Sequence, residues 1–208
     1  MMENGLNQVV FDLEIQKTIV TDGRKINPLI EVDGWKNSRY SKMSVGVIYD
    51  YRDDRYKVYD QKNIKELGER LLSADKVIGY NHIAFDYLIL REDGINIQGS
   101  ELRDYDILVE LWKKNGKKES GFKLDQVAKL NLACGKSENG AKAPLMFQKG
   151  EIAKLITYCI DDVRITKLLY DQIINKGFLL AKGGEKYYFN IERLSYLLQS
   201  HQKDTNKE

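Results

Sequence analysis

The sequence predicts an α/β protein in which a mixed β-sheet is flanked by helices. Three observations indicate this fold class: a β-branched first strand, a hairpin that follows it, and helical segments that alternate with short apolar strands. The 208 residues suit a single domain, 1–208, and are enough to bury a substantial core.

Strands are predicted in the first third of the chain. The segment NQVVFDLEI (7–15) is rich in β-branched and aromatic residues that alternate with polar ones, as in a half-buried strand. Residues 16–43 are polar and contain several turn-forming residues, which favours a loop or an insertion. Residues 44–60 then have the pattern of a hairpin, with two strands joined by a charged turn at 52–55.

Helices dominate the rest of the chain, with short strands between them. Apolar residues at helical spacing predict helices at 61–75, 84–93, 108–116, 122–132, 156–170 and 192–201. Short apolar runs and turn residues predict strands at 76–81 and 100–107, a long loop at 137–150 and a hairpin at 178–191. The order of strands first and interleaved helices afterwards favours a mixed sheet.

Composition excludes several classes of protein. With 42% hydrophobic and 31% charged residues and a net charge of +2, any basic surface must come from local clustering. The two cysteines, Cys134 and Cys159, provide no disulfide framework and fit a reducing compartment. No apolar run approaches the length of a membrane span, and the N-terminus lacks the pattern of a signal peptide. We therefore expect a cytoplasmic protein without a membrane partner.

Two acids stand out in the first predicted strand. Asp12 and Glu14 fall on one face of that strand, while Phe11, Leu13 and Ile15 share the other. The simplest interpretation of such a pair is a surface strand with its acids in water. In the alternative the acids point into a cleft, where they repel each other unless a cation balances them. A divalent ion with oxygen ligands is the natural cation.

The other candidate groups lie on predicted helices. Asp86 stands at the start of a helix, where an acid by itself complements the helix dipole. Tyr158 and Asp162 are four residues apart and share one helix face. Taken alone, they are a packing residue and a surface acid. His82 is predicted at the surface or in a hydrogen bond, because one histidine near one acid makes a poor metal site.

Taken together, these groups resemble the motifs of a known family. FDLEI, NHIAFD and YCIDD are similar to the three motifs of the DEDD exonucleases of the ribonuclease H-like superfamily. The third motif resembles the tyrosine branch, DEDDy, because Thr157 stands where the other branch has a histidine. Residues 135–170 also resemble predicted bacterial and phage 3′–5′ exonuclease domains, some found beside helicases. The resemblance covers about 6–175 and implies a ribonuclease H-like core with a C-terminal extension, a hairpin and a helix, over 176–208.

The resemblance implies a role for each motif residue. Asp12 would bridge two divalent ions, and Glu14 and Asp162 would complete the site of the first ion. Asp86 would hold the second ion largely through water, and the hydroxyl of Tyr158 would orient the attacking water. Four carboxylates suit Mg²⁺ or Mn²⁺, and two such ions can promote phosphodiester hydrolysis. The implied activity releases nucleoside 5′-monophosphates from the free 3′ end of single-stranded DNA or RNA.

A second set of residues is predicted to contact nucleic acid. Asn81 is placed near the scissile end, and Lys123 and Lys142 belong to a basic run. The run comprises Lys113, Lys114, Lys117, Lys118 and Lys123, followed by Lys136, Lys142 and Lys149. Such runs are usually solvated surface, whereas a run that binds the nucleic-acid backbone makes affinity fall steeply with salt. Asp104 and Asp106 are predicted at surface positions, with the role of an accessory acid as the alternative.

Other functions stay open on the sequence. The chain could be a catalytically inactive module that binds nucleic acid or docks a partner, or a proofreading subunit of a replication or repair complex. The presence of all five motif residues favours an enzyme. A helicase or a replication or repair protein is the kind of partner that the resemblance suggests. The GKS at 135–137 is no phosphate-binding loop, because Leu130 occupies the position of its first glycine.

Overall fold

A five-stranded sheet forms the centre of the computed structural model, which describes residues 7–132 and 142–190. Its strands are β1 (Gln8–Ile15), β4 (Met43–Asp50), β5 (Arg55–Tyr59), β6 (Lys76–Gly79) and β7 (Asp104–Asp106). They lie in the order β5-β4-β1-β6-β7. Because β1 pairs antiparallel with β4 and parallel with β6, the sheet is mixed. The predicted α/β class is confirmed.

Helices cover both faces of this sheet. They are α1 (Ile64–Leu72), α2 (Asp86–Glu92), α3 (Ile107–Asn115), α4 (Leu124–Leu132), α5 (Ala143–Gln148) and α6 (Ile152–Lys176). Successive residues of β1 point to opposite faces, so Val10 joins the apolar cluster with α6, whereas Val9 and Phe11 join the cluster with α1 and α2. Burial on both faces explains why β4 and β6 are buried along their whole length.

Helix ends and the last hairpin follow the sequence closely. Helix α3 ends at Gly116, whose φ of +75° is a left-handed conformation that favours glycine. Helix α6 ends in the same way at Gly177, with φ of +76°. The predicted hairpin then forms from β8 (Phe178–Ala181) and β9 (Glu185–Tyr188), which pair antiparallel across the turn at 182–184.

The prediction of a loop at 16–43 is wrong in part, because these residues contain three short elements. β2 (Thr18–Val20) and β3 (Glu31–Asp33) form a separate two-stranded parallel sheet, and Trp35–Ser41 is a 3₁₀ helix. Strands of three residues are too short to show an alternating pattern, so a polar composition hides them.

The prediction of a loop at 137–150 is also wrong in part. Its second half contains α5, a helix of six residues with Pro144 in its first turn. Six residues are fewer than two helical turns, which is too little for periodicity to reveal. Residues 133–141, and the helix predicted at 192–201, lie outside the described residues. Within the described ranges, no helix is both long and apolar enough to span a membrane.

Candidate active site

Strand β1 presents two acids on the face that α6 covers. Asp12 and Glu14 are partly exposed, whereas Phe11, Leu13 and Ile15 are buried in the cluster with α1 and α2. The alternation of the strand therefore separates the acids from the apolar residues between them, as the sequence predicts.

Asp86 at the start of α2 is tied to the same strand. The backbone N–H of Leu13 donates to its Oδ1 at 3.0 Å, which places the Asp86 carboxylate beside the segment that carries both acids. Asp86 is only 2% exposed. Burial raises the pKa of Asp86 to about 7, although the charge of His82 and the hydrogen bond from Leu13 act against this rise.

Helix α6 contributes three side chains to the other side of these acids. Tyr158, Cys159 and Asp162 are all buried. The thiol of Cys159 donates to the carbonyl oxygen of Asp12 at 3.6 Å, and its Sγ lies 4.0 Å from Asp12 Oδ2. These contacts hold the middle of α6 directly against β1 where the acids stand.

The charges of the four motif carboxylates all act on this thiol. Burial raises the pKa of Cys159 well above its ordinary value, and the charges of Asp12, Glu14, Asp162 and Asp86 raise it further. Asp12 and Glu14 each place a carboxylate oxygen within 4.8 Å of the sulfur atom. The structure thus brings together acids from β1, α2 and α6 that are up to 150 positions apart in the chain, from Asp12 to Asp162.

Tyr158 belongs to the same group. Burial raises the pKa of Tyr158 strongly, followed by the charges of Asp162, Glu14 and Asp12, and by its hydrogen bond with Asp162. The hydroxyl is therefore protonated at neutral pH. It is available as a hydrogen-bonding group but not as a base.

The donor atoms of this group fit a hard divalent cation. Ligand atoms of Asp12, Glu14 and Cys159 all lie within 4.8 Å of one another. One of these atoms is the sulfur of Cys159, whose thiol donates to the carbonyl oxygen of Asp12. The remaining donors are carboxylate oxygens, which suit Mg²⁺ or Mn²⁺ better than zinc. A bound cation would also compensate the buried charge of Asp86.

Three of the buried polar residues are His82, Asp104 and Asp106. The predicted surface positions of the two acids are therefore wrong, and so is the surface alternative for the histidine. The His82 ring lies 3.5 Å from Asp106 and 3.7 Å from Asp104. Asp106 caps α3 and also accepts the backbone N–H groups of Asn81 and Ile83. These acids hold the connection between β6 and α2 in place. Sequence alone missed this because some of their hydrogen-bond donors, such as the backbone N–H of Asn81 and the hydroxyl of Tyr87, come from another segment of the chain.

The three residues predicted to contact nucleic acid lie in different surroundings. Asn81 is half-buried with a φ of +68°, so its role in the turn accounts for the residue type. Lys123 is exposed just before α4, and its backbone N–H donates to Gln126. Lys142 is exposed just before α5, and α5 packs against β1 and α6. Lys142 therefore stands closer to the strand of the acids than its place in the sequence suggests.

Comparison with known proteins agrees with this architecture. No family model matches the sequence, and no curated protein matches it. Among solved structures, the chain is similar to the family B DNA polymerase from the hyperthermophilic archaeon Pyrobaculum calidifontis, with a TM-score of 0.57 and 20% sequence identity. The similarity covers 81% of this chain and 24% of the polymerase, so the chain spans about a quarter of that protein's length.

The chain has a ribonuclease H-like fold. At this low identity the similarity shows the fold alone. In this chain the four acids lie on the first strand, β1, and on the two helices α2 and α6. Among the described residues, Cys159 is a neighbour of Asp12 and Glu14 to which the motifs give no role. Its place three residues before Asp162, on the same side of a helix, was the available signal.

Proposed function

We propose that the chain is a metal-dependent 3′–5′ exonuclease that hydrolyses phosphodiester bonds of single-stranded DNA or RNA and releases nucleoside 5′-monophosphates. One observation carries this proposal: residues 12–14 of β1 are bonded to Asp86 of α2 through the N–H of Leu13, at 3.0 Å, and to the helix of Asp162 through the thiol of Cys159, at 3.6 Å. Like charges so close together are unfavourable unless a cation offsets their repulsion. Such a group favours metal-dependent chemistry over a purely structural role.

Two divalent ions, Mg²⁺ or Mn²⁺, would be held by Asp12, Glu14, Asp86 and Asp162. When bound, such ions stabilise negative charge on the reacting phosphate and lower the pKa of a bound water. Hydrogen bonding from Leu13 fixes the orientation of the Asp86 carboxylate. The contact of Cys159 with Asp12 holds the helix that carries Asp162 against β1.

Tyr158 would position the attacking water rather than deprotonate it. Its raised pKa keeps the hydroxyl neutral, and the hydroxyl hydrogen bonds with Asp162. A phenolic oxygen that donates one hydrogen bond can still accept another from a water molecule. Tyr158 would therefore orient that water next to the acids.

The substrate class and the direction of cleavage rest on two kinds of similarity. One of the solved structures that resemble this chain is a DNA polymerase, which supports a nucleic-acid substrate. The 3′–5′ direction rests on the resemblance of the motifs FDLEI, NHIAFD and YCIDD to those of the DEDD exonucleases. A helicase or a replication or repair protein stays the predicted partner.

The test compares acids inside and outside the group. The variants Asp12→Asn and Asp162→Asn should each lower metal-dependent cleavage of an end-labelled oligonucleotide more than about a hundredfold. Loss of a residue that only supports a metal ligand already costs up to about a hundredfold, and loss of a ligand should cost more. Asp161→Asn is the matched control, since Asp161 is the preceding acid of the same helix and pairs with Arg164 at 3.2 Å. It should retain wild-type activity.

Three further outcomes are informative. Chelation should stop cleavage, and a blocked 3′ end should prevent it. Full activity in both Asp12→Asn and Asp162→Asn would refute the assigned site. Binding of oligonucleotides by the wild-type protein without cleavage, in either Mg²⁺ or Mn²⁺, would favour the alternative of an inactive binding module.

A further inference from the structure

Residues 16–42, here called the β1–β4 insert, fold back onto the end of β1 that carries the acids. The backbone N–H of Gln16 donates to the carbonyl of Lys42 at 3.0 Å, so the two ends of the insert meet just beyond Glu14. The side chain of Gln148 in α5 donates to the carbonyls of Gln16 and Ile30, both at 2.9 Å. The insert is therefore fastened beside the candidate active site.

A large aromatic ring of the insert is exposed next to that site. Trp35 is 66% exposed, although tryptophan is usually well buried. Its ring makes an edge contact with Phe85, with ring centroids 6.2 Å apart. Phe85 directly precedes Asp86 in the chain. One edge of Trp35 is thus fixed against the second motif, while much of the ring remains in contact with solvent.

The same 3₁₀ helix carries exposed positive charge. A 3₁₀ helix has three residues per turn, so Lys36 and Arg39 lie along one ridge, while Ser38 and Ser41 are on the buried side. Lys36 and Arg39 are exposed, and in residues 7–132 and 142–190 no acid forms an ion pair with either. Helix residues 35–41 include no acid.

These features together fit one kind of ligand. An exposed aromatic face beside cationic side chains is how proteins bind single strands, because the bases stack on the ring and the phosphates meet the cations. In a duplex the bases are already stacked and paired, so they do not offer a face to Trp35. A strand that ends among the four carboxylates would also need nearby positive charge to offset their repulsion of its phosphates.

We propose that the β1–β4 insert binds the single strand that enters the active site, with a base stacked on Trp35 and the backbone phosphates contacted by Lys36 and Arg39. The proposal rests on the proposed function, because it assigns the form of nucleic acid used at that site. It makes single-stranded DNA or RNA, rather than duplex, the preferred ligand.

Fluorescence reports directly on Trp35. The chain has two tryptophans, so the variant Trp112→Phe leaves Trp35 as the sole tryptophan. We expect its emission to be quenched on addition of an oligodeoxythymidylate or oligouridylate of about 12 nucleotides, within the usual span of single-strand sites. The titration is done in EDTA, where a metal-dependent nuclease does not cleave. A blunt duplex of equal length should quench far less.

Affinity measurements test whether the stacking contributes to binding. Trp35→Ala should weaken binding of the same oligonucleotides about tenfold or more, the usual effect of removing a stacking aromatic. Trp35→Phe should restore most of that affinity, since it retains an aromatic face. Tyr188→Ala is the matched control, because Tyr188 is similarly exposed, at 63%, on the distant hairpin. It should bind like the wild type.

Salt dependence tests the two cations. Lys36→Gln and Arg39→Gln should each reduce the slope of log affinity against log salt concentration by about 0.7, the value for one phosphate contact on a single strand. Circular dichroism of every variant checks that the fold is intact. An unchanged slope in both variants would remove the phosphate contacts from the proposal.

The outcomes separate this proposal from the proposed function. Unquenched Trp35 together with wild-type affinity in Trp35→Ala overturns the binding role of the insert, even if the wild type cleaves oligonucleotides. If the emission of Trp35 is quenched in EDTA and Trp35→Ala binds more weakly, the binding role of the insert is supported, even if no metal ion produces cleavage. In that second case the proposed exonuclease activity fails while the single-strand site stands.

Discussion

Asp86, at the start of α2, and Asp104, in β7, are both buried aspartates, yet their surroundings shift their pKa values in opposite directions. Their exposed fractions are only 2% and 8%. Burial raises the pKa of Asp86 to about 7. Burial also tends to raise the pKa of Asp104, but the nearby His82 ring and hydrogen bonds from Tyr87, Arg103 and the backbone of Ser100 hold it below its ordinary value.

The difference lies in the donors that the chain supplies. Asp104 accepts the hydroxyl of Tyr87 and the backbone N–H of Ser100, both at 2.6 Å, and the guanidinium of Arg103 at 3.2 Å. Asp86 accepts the N–H of Leu13, and among the described residues no lysine or arginine pairs with it. A structural acid thus receives its compensation from within the chain, whereas Asp86 is suited to a cation from outside.

The largest expected effect is a separation of stability from activity. Asp104→Asn should lower the free energy of unfolding by about 2 kcal/mol, because buried donors lose a charged acceptor. Asp86→Asn should leave stability in EDTA unchanged or higher, while cleavage falls more than about a hundredfold. Urea unfolding and an oligonucleotide assay measure the two effects.

Two results would contradict this separation. Loss of stability in Asp86→Asn, as large as in Asp104→Asn, would make Asp86 a structural acid too. Equal loss of activity in folded Asp104→Asn would place both acids in the reaction.

A smaller effect is expected at the tyrosine. Tyr158→Phe should lower the rate of cleavage about ten- to hundredfold, because it removes a single positioned group while the acids remain. Since the hydroxyl is neutral, we expect the activity to show no new pH dependence in the variant. A loss as large as that of Asp12→Asn would instead indicate that the hydroxyl is required to organise the metal site.

Metal ions should stabilise the folded chain. At a concentration about a hundred times the dissociation constant, Mn²⁺ should raise the free energy of unfolding by about 2.7 kcal/mol for one site. Asp12→Asn should show little of this stabilisation, whereas Asp161→Asn should show all of it. Equal stabilisation of all three proteins would mean that the ion binds elsewhere.

The smallest effect concerns acid pH. Because the folded-state pKa of Asp104 is lowered, its stabilising contribution is present above the unfolded pKa, about 4, and is lost as the pH falls through the folded value. The free energy of unfolding should therefore fall less steeply below about pH 4 in Asp104→Asn than in the wild type. Parallel curves would show that the carboxylate of Asp104 contributes no such pH dependence.

Much of the fold was predictable because its elements carry local signals. The alternation in β1 predicts which of its side chains are buried in the apolar core, and Gly116 marks the end of α3. The missed elements are those with little local pattern, such as β2, β3 and α5. The motif order suggested the candidate site, whereas the opposite characters of Asp86 and Asp104 could not be inferred, since each is an aspartate followed directly by a tyrosine.

By itself the sequence determined the α/β class, the face on which Asp12 and Glu14 stand, and the helix that carries Tyr158 and Asp162, because periodicity is a property of neighbouring residues. Only the tertiary structure decided which acids lie beside the β1 acids and which receive their hydrogen bonds from the chain. That outcome depends on donors brought from distant segments, such as Leu13 for Asp86. The position of Trp35 beside the second motif was decided in the same way, by a contact with Phe85 across fifty positions of chain.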